Sequence, residues 1–178
     1  MVVMESGRLR LRRLDVEDCT FILELLNEPG WLRYIGDKGV HDLDGARAYL
    51  RDGPLAMYHG HGFGLYCVER RADGVPLGFC GPIKRDLLDD VDIGFAFLAR
   101  HGGQGYAVEA AQAVMEHARR DLGLKRIVAI TLPENLRSIG LLEKIGFVFE
   151  RRLRLAQSAA ELCLYANDLA CPPSMPAS

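Results

Sequence analysis

Two segments of this chain carry residues whose types and spacing point to chemistry. The first is Gly102-Gly103-Gln104-Gly105-Tyr106-Ala107. It stands between an apolar run, Val91 to Leu98, and a helix-patterned stretch with Ala107, Ala110, Ala111, Val114, Met115, Ala118 and Leu122 on one side. Glycines let a backbone turn sharply and present consecutive N–H groups, and a helix start adds unpaired donors and a partial positive charge. Together they make an anion cradle of pyrophosphate size. A tight turn that binds nothing accounts for the same glycines equally well. The ligand class is narrower. No Lys-Ser/Thr follows the glycines, so this is not a P-loop. Gly103-x-Gly105 opens a dinucleotide fingerprint, but Val108 stands where the third glycine belongs, and only Glu134 is placed to hold a ribose. The second segment, Asn135 to Phe147, begins thirty residues beyond Gly105 and puts an Asn and a Ser at the start of a helix.

The elements that must position these segments are legible from patterning. Arg8, Leu9, Arg10, Leu11, Arg12 alternate, which predicts a strand with arginines on one face. That stripe reads as a solvated strand face in preference to a phosphate site. Asp15 caps a helix to about Asn27, broken by Pro29-Gly30, and Trp31 to Ile35 is a short aromatic piece. Asp42 caps a second helix that stops at Gly53-Pro54. Runs 62–69 and 75–83 form a hairpin around Asp73-Gly74, and 91–98 is the next strand. After the central helix, Ile127 to Leu132 is an apolar run suited to a strand buried on both faces. A last helix from Asn135 closes at Gly146, and strands near 147–155 and 160–167 finish the fold. The class is α/β: a mixed sheet with one strand–helix–strand crossover flanked by hairpins.

Composition sets the limits. The chain has 178 residues, enough for one domain of ordinary size, taken as 1–170 with a frayed tail over 171–178. With 22 basic and 24 acidic side chains its net charge is −2, which argues against a general nucleic-acid binder. No uncharged apolar run reaches the roughly 18 residues of a membrane span, and the N-terminus lacks the apolar core of a signal peptide. Five widely spaced cysteines (Cys19, Cys67, Cys80, Cys163, Cys171) without a C-x-x-C read as inert buried thiols of a cytoplasmic protein. His59-Gly-His61, with no carboxylate or cysteine support, makes a poor metal site, and no metal is expected.

Taken together, Val91–Phe147 closely resembles the core of the GNAT superfamily of acetyl-CoA-dependent N-acyltransferases. GQGYAVEA, the Leu-Gly-Leu-x-Arg-Ile link and N-x-x-S-x-x-L-L-E-K-x-G-F match in order and spacing, and GRLRLRRLDVED matches the first strand and helix of the RimJ/RimL branch, which acetylates N-termini of ribosomal proteins. The resemblance runs over about residues 7–168.

It implies a mostly antiparallel sheet with helices on both faces and two parallel strands that splay apart. Backbone amides across Gly103, Gln104, Gly105, Tyr106, Ala107 and Val108 would hold the CoA pyrophosphate. Gly102 replaces the Gln, Arg or Trp usual at the start of the motif; another register puts Arg100 there. The strand over Phe95 to Leu98, with Phe97 the best single candidate and Leu98 beside it, would bond the pantetheine arm. Asn135 would reach the same arm, or simply cap its helix. Asp92 matches an acidic strand position and is the candidate base, or an exposed or structural carboxylate. The tyrosine many relatives use as thiolate acid is Leu142 here, so Ser138 is the candidate, or a capping hydroxyl; Glu109 reads as structural. Trp31, Tyr34 and Tyr58 would line the acceptor cleft unless they are core. The implied activity is acetyl transfer from acetyl-CoA to a primary amine, a protein N-terminus or a small molecule, by direct attack, in a monomer or homodimer. The competing classes are a GNAT-fold acyl-CoA sensor or scaffold without turnover and a dinucleotide-dependent oxidoreductase.

Overall fold

Alternation of apolar side chains along the strands gives the sheet two buried faces, and each face collects its own helices. The computed structural model describes residues 1–156 and 159–170, so the expected tail 171–178, with Cys171, lies outside the described residues. Eight strands make one sheet: β1 (Val2–Glu5), β2 (Leu9–Arg13), β3 (Tyr66–Arg70), β4 (Pro76–Ile83), β5 (Asp92–Phe97), β6 (Arg126–Thr131), β7 (Val148–Leu153) and β8 (Leu162–Asp168). Their spatial order is β1-β2-β3-β4-β5-β6-β8-β7. Every neighbouring pair is antiparallel except β5 and β6.

Among the described residues six α-helices cover the sheet: α1 (Cys19–Leu26), α2 (Pro29–Tyr34), α3 (Leu43–Leu50), α4 (Ala56–His61), α5 (Tyr106–Arg120) and α6 (Leu136–Lys144). On one face, Leu9, Leu11, Tyr66, Val68, Ile127 and Ala129 pack against Ala110, Ala111 and Val114 of α5 and Leu141 and Leu142 of α6. On the other, Cys67 and Phe79 meet Ile22, Leu25 and Leu26 of α1, Trp31 of α2, and Ala46 and Leu50 of α3. Cys67, between Tyr66 and Val68, shows the period-two switch directly.

The structure corrects several boundaries. A strand that patterning misses, β1, pairs with β2 at the sheet edge. Pro29 does not merely break the first helix; it occupies the first turn of α2, where a missing N–H costs nothing. The second helix does not stop at Gly53-Pro54. A π-helical turn over Arg51–Leu55 takes Pro54 in and runs straight into α4, which ends at Gly62 in the left-handed region (φ 77°). A wider turn suits a residue that cannot supply the regular N–H bond to Leu50. Strand β3 accordingly begins at Tyr66 and not at residue 62.

Candidate active site

Strands β5 and β6 touch at one register pair only, Asp92↔Val128, with the Val128 N–H on the Val91 carbonyl at 3.0 Å. Beyond that point they part. In an antiparallel strand each residue turns both backbone polar groups to one side, and neighbours alternate. Val91 faces β6. Phe95 and Phe97 therefore face β6 as well, where the pairing has ended, while Leu98 faces β4 and donates to Leu77 O at 2.9 Å. Phe97 thus offers free backbone groups to the opening. Leu98 does not: its amide is held by β4, its carbonyl accepts from His101 N–H at 3.0 Å, and its side chain is fully buried.

The open end of this wedge leads into the glycine turn. Gly103 (φ 73°) and Gly105 (φ 78°) both sit in the left-handed region, which costs other residues roughly 1–2 kcal/mol. Gly105 caps α5 with no side-chain bond to the helix amides. The first bond of the helix is Glu109 N–H to Gly105 O at 3.1 Å. Among the described residues nothing accepts from the N–H groups of Gly103, Gln104, Gly105, Tyr106, Ala107 or Val108. Six consecutive donors stand unspent at a positive helix end.

The turn is held from outside by a residue read only as part of a solvated stripe. Arg8 Nη1 donates to Gln104 O at 2.9 Å, Arg8 Nε to Glu109 Oε2 at 2.7 Å, and its guanidinium lies 4.6 Å from the centre of the Tyr106 ring. Glu109 also accepts from Arg8 N–H at 2.8 Å and Ser6 Oγ at 2.6 Å. Burial pushes the Glu109 carboxyl up, but those bonds together hold it below its ordinary value. Arg10 pairs with Glu5, and Arg12 with both Asp18 and Glu69. The alternation in the sequence shows an arginine face; its partners, up to 101 positions away in Arg8–Glu109, leave no local mark. Arg100, the other candidate to open the motif, is tied to Glu24 of α1.

Asp92 stands at the closed end of the wedge, 1% exposed. Arg85 Nε reaches both of its carboxylate oxygens, at 3.2 and 3.1 Å. Burial raises the Asp92 pKa and Arg85 pulls it back; the net direction is up. Beyond the end of β6, Asn135 caps α6 by accepting from Ser138 N–H at 3.3 Å. That bond uses the Asn135 carbonyl oxygen and leaves its NH2 to donate. Ser138 is half-buried, and Leu142 is fully buried core.

The three aromatic candidates separate. Trp31 is 7% exposed and meets Phe79 edge to face at 5.7 Å, and its indole N–H, buried, has no partner among the described residues. Tyr34 is half-buried with Arg33 4.9 Å from its ring centre. Tyr58 is core: its hydroxyl accepts from Leu14 N–H at 3.0 Å and donates to Leu65 O. Cys19, Cys67, Cys80 and Cys163 are buried free thiols; burial pushes Cys67 up to about 12 and Cys80 up as well, so neither is a thiolate at neutral pH. Among the described residues no helix is long and apolar enough to cross a membrane.

The chain is similar to known proteins along most of its length. The family model that describes an acetyltransferase (GNAT) domain matches residues 8–148. YkkB, an uncharacterized protein of Bacillus subtilis (strain 168), is 30% identical over 152 residues, covering 84% of this chain and 87% of its own. The crystal structure of an acetyltransferase from Agrobacterium tumefaciens str. C58 is similar with a TM-score of 0.78 at 25% identity, over 94% of each chain. RimL, the ribosomal L7/L12 alpha-N-protein acetyltransferase solved in complex with coenzyme A, shares the fold with a TM-score of 0.81 at 19% identity, over 96% of this chain and 99% of its own.

Proposed function

The chain belongs to the GNAT acetyltransferase family, an acyl-CoA-dependent transferase family, and from that premise we propose that it moves acetyl from acetyl-CoA to a primary amine, of a protein N-terminus or a small molecule, by direct attack, as RimJ/RimL-type enzymes do. The observation that carries this is the continuity between the six unspent amides of 103–108 and the wedge that opens beyond Asp92↔Val128. Acetyl-CoA brings an activated acyl carbon and a thiol leaving group. The amides hold its diphosphate. Phe95 and Phe97 present strand-like donors and acceptors to its peptide-like arm, and Asn135 adds a side-chain donor from the far side.

The reaction needs a neutral amine and a proton for the departing sulfur. An α-amine, with a pKa of about 7.7–8.0, is already partly neutral at pH 7, whereas a lysine amine near 10.4 is not. A weak base suffices, and a carboxylate whose pKa is raised by burial serves better than an ordinary one. Asp92 takes the proton of the attacking amine, through water where the amine is not in direct reach. Ser138, in the first turn of α6, returns a proton to the thiolate. Tyr34 shapes the acceptor side, while Trp31, packed on Phe79, stays with the core. The same reading takes residues 1–170 as one domain, acting in the cytoplasm as a monomer or homodimer, with no metal.

The test is thiol release from acetyl-CoA across a panel of amines. Release accelerated by peptides with free N-termini or by small α-amines, and less by lysine side-chain amines, is expected. CoA binding without release by any amine makes the protein a sensor. Tight NAD(P) binding without CoA binding makes it an oxidoreductase.

A further inference from the structure

We infer that Arg137, on the first turn of α6, donates from its guanidinium to the diphosphate of acyl-CoA beside the 103–108 amides. The inference rests on the reading of those amides as the diphosphate cradle. It begins with Gly102, whose backbone (φ −69°, ψ 164°) is extended and open to any residue. Nothing in its conformation calls for glycine. What a side chain there would meet is Arg137: a Cβ on Gly102 would lie 3.3 Å from Arg137 Nη2, and 3.2 Å from Ala99 O. The guanidinium carried by α6 therefore rests against the bare start of the turn that feeds α5.

The other arginines close to this turn are spent. Arg8 is neutralised by Glu109 and also holds Gln104 O; Arg100 is neutralised by Glu24. Arg137 is exposed and, among the described residues, has neither an ion-pair partner nor a hydrogen-bond acceptor. Its charge also sits in the first turn of a helix, where the aligned backbone dipoles repel a cation. A bound dianion reverses that sign. Backbone amides supply geometry but only about half a unit of positive charge, so a free guanidinium fork beside them completes the neutralisation.

Binding of three probes to the full chain tests this by calorimetry or competition: CoA, dephospho-CoA and pantetheine. Arg137→Ala should weaken CoA and dephospho-CoA by about tenfold, the lower end for a charge-assisted bond at an exposed site, and leave pantetheine unchanged. Arg137→Lys should recover part of the loss, since it keeps the charge without the fork. The salt dependence of CoA affinity should flatten in Arg137→Ala. Unchanged CoA affinity overturns the inference. So does equal weakening of pantetheine, which marks a structural effect. Weakening of CoA but not of dephospho-CoA overturns it too, because the guanidinium then serves the 3′-phosphate. Wild-type protein that binds pantetheine as well as CoA overturns the cradle itself, a failure visible without any variant.

Discussion

A carboxylate that is 1% exposed survives as an anion only with a cation beside it, so Asp92 and Arg85 must be understood as a unit. Burial moves the Asp92 pKa up and Arg85 opposes that. The acid limb of kcat against pH therefore reports the balance between the two. Removing Arg85 takes away the opposing influence, so Arg85→Gln should carry the limb to higher pH while the protein still turns over above it. Asp92→Asn should lower kcat by about 100-fold or more, flatten the limb, and leave CoA affinity near that of the wild type. A limb that stays in place in Arg85→Gln assigns the titration to some other group. The type and strand position of Asp92 were legible in the sequence. Arg85 was not, because it lies seven residues upstream beyond the end of β4, where no periodicity points a side chain back at the strand. Leu98 shows the converse. Its neighbour Phe97 and itself look alike as apolar strand residues, and only the alternation of backbone direction separates the one facing the wedge from the one bonded to Leu77.

Among elements, the glycine turn depends on the N-terminal strand pair. Ser6 and Arg8 lie in the turn between β1 and β2 and reach Glu109 one turn into α5, so the sheet edge is what fixes the cradle. Arg8→Ala should raise KM for acetyl-CoA about tenfold with kcat changed less than about twofold, the signature of a positioning residue that touches no reacting atom. Glu109→Gln should behave alike and add a pH test of stability. The folded Glu109 pKa is lowered from 4.5, so its contribution is fully present above that value and is lost as pH falls through the folded pKa. Urea unfolding should then show wild type more stable than Glu109→Gln at pH 7, with the gap narrowing as the pH falls below 4.5. Gly105→Ala, forced to φ 78°, should cost about 1 kcal/mol of stability and weaken CoA binding. The elements themselves were mostly legible: the strand–turn–helix order from 91 to 146 and the caps at Asp15, Asp42 and Asn135 stand in the structure as the pattern predicts. The helix through Pro54 was not, because proline's local preference is to end a helix, and packing of Ala46 and Leu50 against α1 and the sheet outweighs it by way of a π turn. β1 was missed because Val2 to Glu5 is too short to show a period.

For the molecule as a whole, the decisive feature is a sheet left unfinished in its middle. Six of the seven strand junctions run as antiparallel ladders of three to six residue pairs, three of them with a register shift, and the seventh, β5 with β6, closes at a single pair. Each outer strand of the wedge is anchored on its far side, β5 by six residue pairs with β4 and β6 by six with β8. The gap is therefore held open by neighbours and not by weakness of the strands themselves. β5 carries Ile93, Phe95 and Phe97 and β6 the run Ile127 to Ile130, which is why their sequences read as ordinary strands and the opening had to come from resemblance. An unpaired stretch of backbone inside a sheet exposes donors that a ligand can cover, and amide hydrogen exchange measures that cover directly. In the free protein the N–H groups of Phe95 and Phe97 should exchange far faster than those of Ala96 and Leu98, which β4 holds. Saturating CoA should slow Phe95 and Phe97 selectively, by at least about tenfold, and slow the amides of 103–108 with them. Protection of 103–108 without Phe95 and Phe97 would mean that the diphosphate binds while the arm lies outside the wedge. Slow exchange at Phe95 and Phe97 in the free protein would mean that the strands zip in solution, and the acyl carrier would then have no entry between them.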